Sequence, residues 1–232
     1  MTRNILDKRL KSLISELAEM GSLVEKQIYD SINALKNHDV ELSEKVIKND
    51  DKVDALNKRI EEKCLIYMAT QSPMASDLRK MFAASKIVTD LERIADYAVD
   101  ICKINKRIEI DPLGEAEIPL WNMVEILSKM INMSVEAFVN SDVEEAYRIC
   151  KLDDEVDVIY RKLFNDVIKK MSKDENLINK GTQILFASKY LERMGDHITN
   201  ICEWIIFSKE GDYVDLNAVS YTHLTLPTNS RV

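Results

Sequence analysis

Helix breakers are scarce in this chain, with five glycines and four prolines among 232 residues. Long helices therefore have few places where they must stop. No run approaches the roughly 18 apolar residues that span a bilayer, and the N-terminal Met1-Thr2-Arg3-Asn4-Ile5-Leu6-Asp7 holds no apolar signal core, so the expected location is the cytoplasm. No cluster of Lys and Arg stands out and the formal net charge is -8, which argues against nucleic acid as a partner. The four cysteines, Cys64, Cys102, Cys150 and Cys202, show no C-x-x-C spacing and read as free thiols acting as small hydrophobes. Three features of familiar enzymes are also missing: a Glu-x-x-His motif, a Gly-rich phosphate loop, and a nucleophile with an adjacent base.

What remains is 46% apolar and 31% charged, the balance of a soluble, mostly helical protein. Apolar residues at helical spacing predict six helices. The first runs from Thr2 to about Asn37, with Leu6, Leu10, Leu13, Leu17, Met20 and Val24 opening its stripe. The second runs from about Val40 to Ala69, and the third starts from Ser72 as N-cap and Pro73 as first helical residue, ending near Arg107. Glu109 to Pro119, holding Pro112, Gly114 and Pro119, is the breaker-rich linker. Three more helices follow, near Leu120 to Asn140, Val143 to Met171, and Glu175 to Lys209. The expected fold is all-α, two tandem three-helix bundles of spectrin-repeat-like form, over residues 1–110 and 111–213, each burying its own modest core. Residues 214–232, rich in Thr and without helical periodicity, read as a non-native or disordered tail.

The two halves are copies. Asp50-Asp51-Lys52-Val53-Asp54 precedes Leu91-Glu92-Arg93-Ile94-Ala95-Asp96, and about a hundred residues later Asp153-Asp154-Glu155-Val156-Asp157 precedes Leu191-Glu192-Arg193-Met194-Gly195-Asp196. Four residues is a little over one helical turn, so each D/E-x-x-x-D pair projects from one face. At about 100° per residue, Glu192 and Asp196 lie well to one side of the stripe formed by Met194, Ile198, Ile201 and Cys202. Glu92, Asp96 and Asp100 do the same beside Ile94, Ala98 and Ile101. Such phases put the acids on the outside of each hairpin, unlike the inward carboxylates of a ferritin-like di-iron bundle.

Register brings the pairs together. Asp50 with Asp96 and Asp54 with Glu92 are level about Pro73, and Asp153 with Asp196 and Asp157 with Glu192 are level about the Ser172–Asn176 break. Four close carboxylates cannot all stay ionised without cations nearby, some of it supplied by Arg93 and Arg193. An all-oxygen set suits Mg, Ca, Mn or Fe. A single such pair on so charged a chain is ordinarily a solvated face; duplication in matched register is what points to metal sites at Asp50, Asp54, Glu92, Asp96 and Asp100, and at Asp153, Asp157, Glu192 and Asp196. His197, beside Asp196, reads as a packing or surface histidine, and Arg79 as a residue open to a partner.

The runs Gln71-Ser72-Pro73-Met74-Ala75-Ser76-Asp77-Leu78-Arg79, Asp90-Leu91-Glu92-Arg93-Ile94-Ala95-Asp96 and Tyr190-Leu191-Glu192-Arg193-Met194-Gly195-Asp196-His197 resemble the PhoU family of phosphate-uptake regulators. The likeness covers about residues 1–213. It implies multinuclear iron, or Mn, Zn or Mg, at the paired acids, and a homodimeric signalling adaptor without catalysis. It further implies that the adaptor couples a phosphate ABC transporter, through its ATPase subunit, to a sensor histidine kinase, meeting the membrane only through those partners, and acts as a negative regulator of the phosphate-starvation response. The alternatives are a carboxylate-bridged metal enzyme and a metal-binding helical scaffold. Asp100 is matched by Asn200 and Tyr97 by His197, so the two copies need not bind metal alike.

Overall fold

The computed structural model describes residues 2–71, 73–106 and 117–216. They form six α-helices and no strand: α1 (Thr2–Asn37), α2 (Val40–Thr70), α3 (Ala75–Asn105), α4 (Glu117–Asn140), α5 (Val143–Met171) and α6 (Ile178–Glu210). Each helix buries the stripe that its periodicity lays down. On α1 Leu17, Met20, Val24 and Ile28 are fully buried, and on α6 Leu191, Met194, Ile198 and Ile201 are as well.

The first turn of each half is built alike. His38 and Ser141 take left-handed backbone conformations at φ 51° and 53°, which ends the preceding helix. Asp39 and Asp142 then cap the next helix, their Oδ1 atoms accepting from the backbone N–H of Leu42 at 2.8 Å and Glu145 at 3.0 Å. An aspartate in this place satisfies an otherwise unpaired helical donor.

Several predicted boundaries shift. Helix α3 starts at Ala75, because the first intrahelical bond runs from Leu78 N–H to the Met74 carbonyl at 2.9 Å and Met74, in extended conformation, is its N-cap. Pro73 lies ahead of the helix, and Ser72 lies outside the described residues. A 3₁₀ turn over Glu175–Leu177 precedes α6, with Asp174 accepting from Asn176 N–H at 3.0 Å. Pro119 belongs to the first turn of α4, where a missing N–H costs no hydrogen bond; residues 107–116 of the expected linker lie outside the described residues. The expected tail begins too early: Val214 and Leu216 pack on the core, and Leu216 N–H donates to Glu203 Oε1 at 2.8 Å. Residues 217–232 are outside the described set.

In each half three helices pack side by side, α2 against α1 and α3, and α5 against α4 and α6. The halves then meet along α3 with α6 and α1 with α4. Phe82 lies edge-on to Trp204 and Phe207, Asp90 meets His197, and Tyr97 stacks on Tyr190. Rising numbers on α3 thus face falling numbers on α6. The same holds where Glu25 meets Ser128 and Tyr29 meets Trp121. Both seams are antiparallel, so a pseudo-twofold axis normal to the helices relates the copies. The expected separate cores are one: residues from all six helices join a single buried cluster.

That continuity makes the halves unfold together. Leu91, fully buried in the first half, should cost about 2–5 kcal/mol when changed to Ala. Both tryptophans, Trp121 and Trp204, lie in the second half, and their fluorescence melt should move down with the circular-dichroism melt. A dichroism shift with unmoved fluorescence would show two independent cores.

Candidate functional site

Val53 and Val156 are buried against their bundles, and this fixes the rotation of α2 and α5. Asp50 and Asp54, or Asp153 and Asp157, then fall on the flank one turn apart. Leu91 with Ile94, and Leu191 with Met194, do the same for α3 and α6. The eight acids come out half-buried, while the neighbouring Asp51 and Asp154 are exposed. They line the groove between the two helices of each hairpin rather than its outside, because the partner helix covers one flank of each acid.

In the first groove Asp50 feels Asp54, Asp96 and Glu92 together. Burial first, and then those charges, push its carboxyl up to about 6. Gln27 Nε2 donates to Asp50 Oδ1 at 3.4 Å and offsets part of the rise. Glu92 is also raised, chiefly by burial and by Asp96. Arg93 lies 3.1 Å from Asp96 and 3.5 Å from Glu92. Asp100 stands apart: it pairs with Lys103 at 2.8 Å and is not among the charges that raise Asp50.

The second groove holds Asp153, Asp157, Glu192 and Asp196 in the same mutual field, and burial followed by Asp196 and Asp157 lifts Asp153 to about 7. Asp196 is raised by burial and by Glu192. The positive partners differ from those expected. Lys189 pairs with Glu192, and Arg161 with Asp157 at 2.9 Å; Arg193 points to solvent. Thr199 Oγ1 donates to Asp153 Oδ2 at 3.3 Å.

One residue explains why the second acid sits deeper. A Cβ on Gly195 would collide with Asp153 Oδ1, so the missing side chain lets the carboxylate lie against the α6 backbone. The matching residue in the first groove is Ala95, fully buried. Sequence reading passed over this Ala/Gly difference, although it stands inside the aligned motifs.

Other singled-out residues find plain places. His197 Nδ1 lies 2.8 Å from Asp90 Oδ1, and Asn200 Nδ2 reaches the same oxygen at 3.4 Å, so His197 joins the two halves. Arg79 packs along Gly211 at the end of α6. The cysteines are all free, with Cys202 beside the Cys150 thiol.

Among the described residues, no three Asp, Glu, His or Cys side chains converge closely enough to hold one metal ion. Arg93, Arg161 and Lys189 hold Asp96, Asp157 and Glu192 in ion pairs instead. The donor set nevertheless is of the kind a hard cation takes: each groove gathers four carboxylates, and its raised carboxyls reflect burial first and the neighbouring acids second.

Fold and site define a duplicated all-helical protein with one acidic groove per copy. The sequence profile of the PhoU domain matches twice, over residues 17–104 and 120–205. The phosphate-specific transport system accessory protein PhoU homolog of Clostridium acetobutylicum is 45% identical over 94% of this chain and 100% of its own length. The crystal structure of PhoU from Pseudomonas aeruginosa superposes with a TM-score of 0.83 at 32% identity, covering 89% of this chain and 99% of that one. The phosphate transport system regulatory protein PhoU from Streptococcus pneumoniae gives 0.84 at 30% identity, over 90% and 99%. The chain belongs to the PhoU family. Its curated relatives are named as accessory proteins of phosphate transport, and no described helix is long and apolar enough to cross a membrane.

The raised carboxyls set a pH dependence. Asp50 and Asp153 bind protons more tightly folded than at the ordinary 3.8, so their stabilising contribution is full below that pH and is lost as pH rises through 6 to 7. The urea midpoint of metal-free protein should fall between about pH 5 and pH 8. Asp153→Asn should flatten the upper part of that fall; a midpoint that rises over the window would contradict the half-buried placement. Gly195→Ala should expel the Asp153 carboxylate from its cradle and lower its pKa toward that of Asp50, read by carbon-13 titration of the side chain.

Proposed function

We propose that this chain is a cytoplasmic, non-catalytic negative regulator of phosphate uptake, which links the ATPase subunit of a phosphate transporter to a sensor histidine kinase and carries a metal centre in each acidic groove. The reading is supported by family membership, and by the doubled groove above all. Four half-buried carboxylates at one height recur in both copies, and a protein without use for cations gains nothing from keeping that repulsion twice. Asp50, Asp54, Glu92 and Asp96 would hold metal in the first half, and Asp153, Asp157, Glu192 and Asp196 in the second. Iron or manganese, being hard or borderline cations, suit such oxygen donors. Bound metal would discharge the field and tie α2 to α3 and α5 to α6, giving adaptor surfaces a fixed shape.

Chelator-treated protein titrated calorimetrically with Mn(II) should bind at both halves. Asp54→Ala with Asp96→Ala should abolish the first set of sites and spare the second. Binding unchanged in that double variant would reject the metal assignment. Deleting the gene in its host should switch on phosphate-starvation genes, alkaline phosphatase among them, at high phosphate; an unaltered response would reject the regulatory role.

A further inference from the structure

Helices α1 and α2 turn back on each other at His38, and Gln27 of α1 lies level with Asp50 of α2. Its amide Nε2 donates to Asp50 Oδ1 at 3.4 Å, longer than an ordinary bond of this kind. The other amide atom has no such partner. Gln27 is 5% exposed, and its Oε1 is buried without a hydrogen-bond partner. A buried acceptor left unpaired costs stability, and native interiors keep few of them.

The second half shows that the fold does not require it. Counted from Asn37 and Asn140, where α1 and α4 end, Gln27 corresponds to Met130, which is fully buried and level with Asp153 about the turn at Ser141. A side chain of similar length and no amide thus fills the same place beside the second acid. Among the described residues, none of the four buried side-chain polar atoms that lack a partner belongs to the second half. The unpaired oxygen goes with the first groove, where it stands behind Asp50 on the α1 side.

We infer that Gln27 is a metal ligand of the first groove, its carbonyl oxygen joining the Asp50 carboxylate on one divalent cation, and that the second groove lacks this ligand. A half-turn about the last side-chain torsion exchanges Oε1 with Nε2 and turns the oxygen toward Asp50. Two oxygens so placed hold together only with a cation or a proton between them. The charges of Asp54, Glu92 and Asp96 close by weight the choice toward a doubly charged ion. Amide carbonyls beside carboxylates are donors that manganese and calcium accept, whereas the Met130 thioether is a poor match for either. Gln27 has this role only if the acidic grooves bind metal, as proposed above, and it gives the two copies unequal donor sets.

Chelator-treated full chain is titrated with Mn(II), and the first-groove sites are identified as those lost in Asp54→Ala with Asp96→Ala. Gln27→Met, which installs the residue of the second half, should weaken those sites and spare the second groove. The loss should be at least about tenfold, the effect of removing even an outer hydrogen-bond partner from a metal site. The same variant removes a buried unpaired acceptor, so its metal-free melting temperature should not fall. Gln27→Glu keeps an oxygen in place and should retain the binding that Gln27→Met loses. Should Gln27→Met melt early, Met130→Gln gives the second groove the same oxygen and should tighten its sites; unchanged binding there overturns the assignment. First-groove affinity unmoved in Gln27→Met, weakened equally at both grooves, or weakened alike in Gln27→Met and Gln27→Glu, overturns it too and leaves the metal centres standing. No Mn(II) binding by the wild-type chain would reject the metal centres and the assignment together.

Discussion

Leu91 and Leu191 occupy equivalent turns of α3 and α6, and both are fully buried beside the seam where those helices meet. Fully burying an aliphatic side chain contributes about 1.5–3 kcal/mol, and each of these helices buries a long row of them. No rotation of α3 or α6 that would free the carboxylates is affordable against such rows, because turning a helix by even one residue would carry apolar side chains into water. Glu92 and Glu192 follow those leucines directly, so their half-buried position is imposed by the core. The acids are crowded because the helices cannot turn away.

The same seam also lets the copies diverge. The pseudo-twofold axis brings position 90 against 197 and position 190 against 97. One crossing is the polar pair Asp90 and His197, and the other is the stacked pair Tyr190 and Tyr97. Equivalent places thus hold different chemistry without disturbing the helices that carry them. Ala95 against Gly195, and Asp100 against Asn200, extend the asymmetry to the grooves: the second acid lies deeper, and the first groove has an additional acid one turn beyond it. Two sites of one ancestry therefore differ in depth and in charge.

The six helices and the level of the acids were legible because both depend on spacing along one chain. A period of 3.6 marks the stripe, and antiparallel register follows from counting to the turn. What escaped depends on partners. The close seat of Asp153 against α6 is decided by the missing Cβ of Gly195, which no count along α5 contains. The shared core arises because α3 and α6 present apolar residues to each other as well as to their own bundles. The start of α3 was misplaced because Ser72 and Pro73 look like a cap, while the backbone carbonyl of Met74 is what receives the first helical bond.

Charge is segregated along the molecule, and the segregation follows helix anatomy. The carboxylates sit in mid-helix, where no free backbone group is present to satisfy them, so their compensation has to come from side chains or cations. The lysines gather where α5 ends and α6 begins, a place where the α5 carbonyls already attract positive charge. A chain that is acidic overall thus gathers lysines at the end of its second bundle. The acids and the lysines lie along the same two helices, so the buried rows that fix the phase of α5 and α6 set the placement of both.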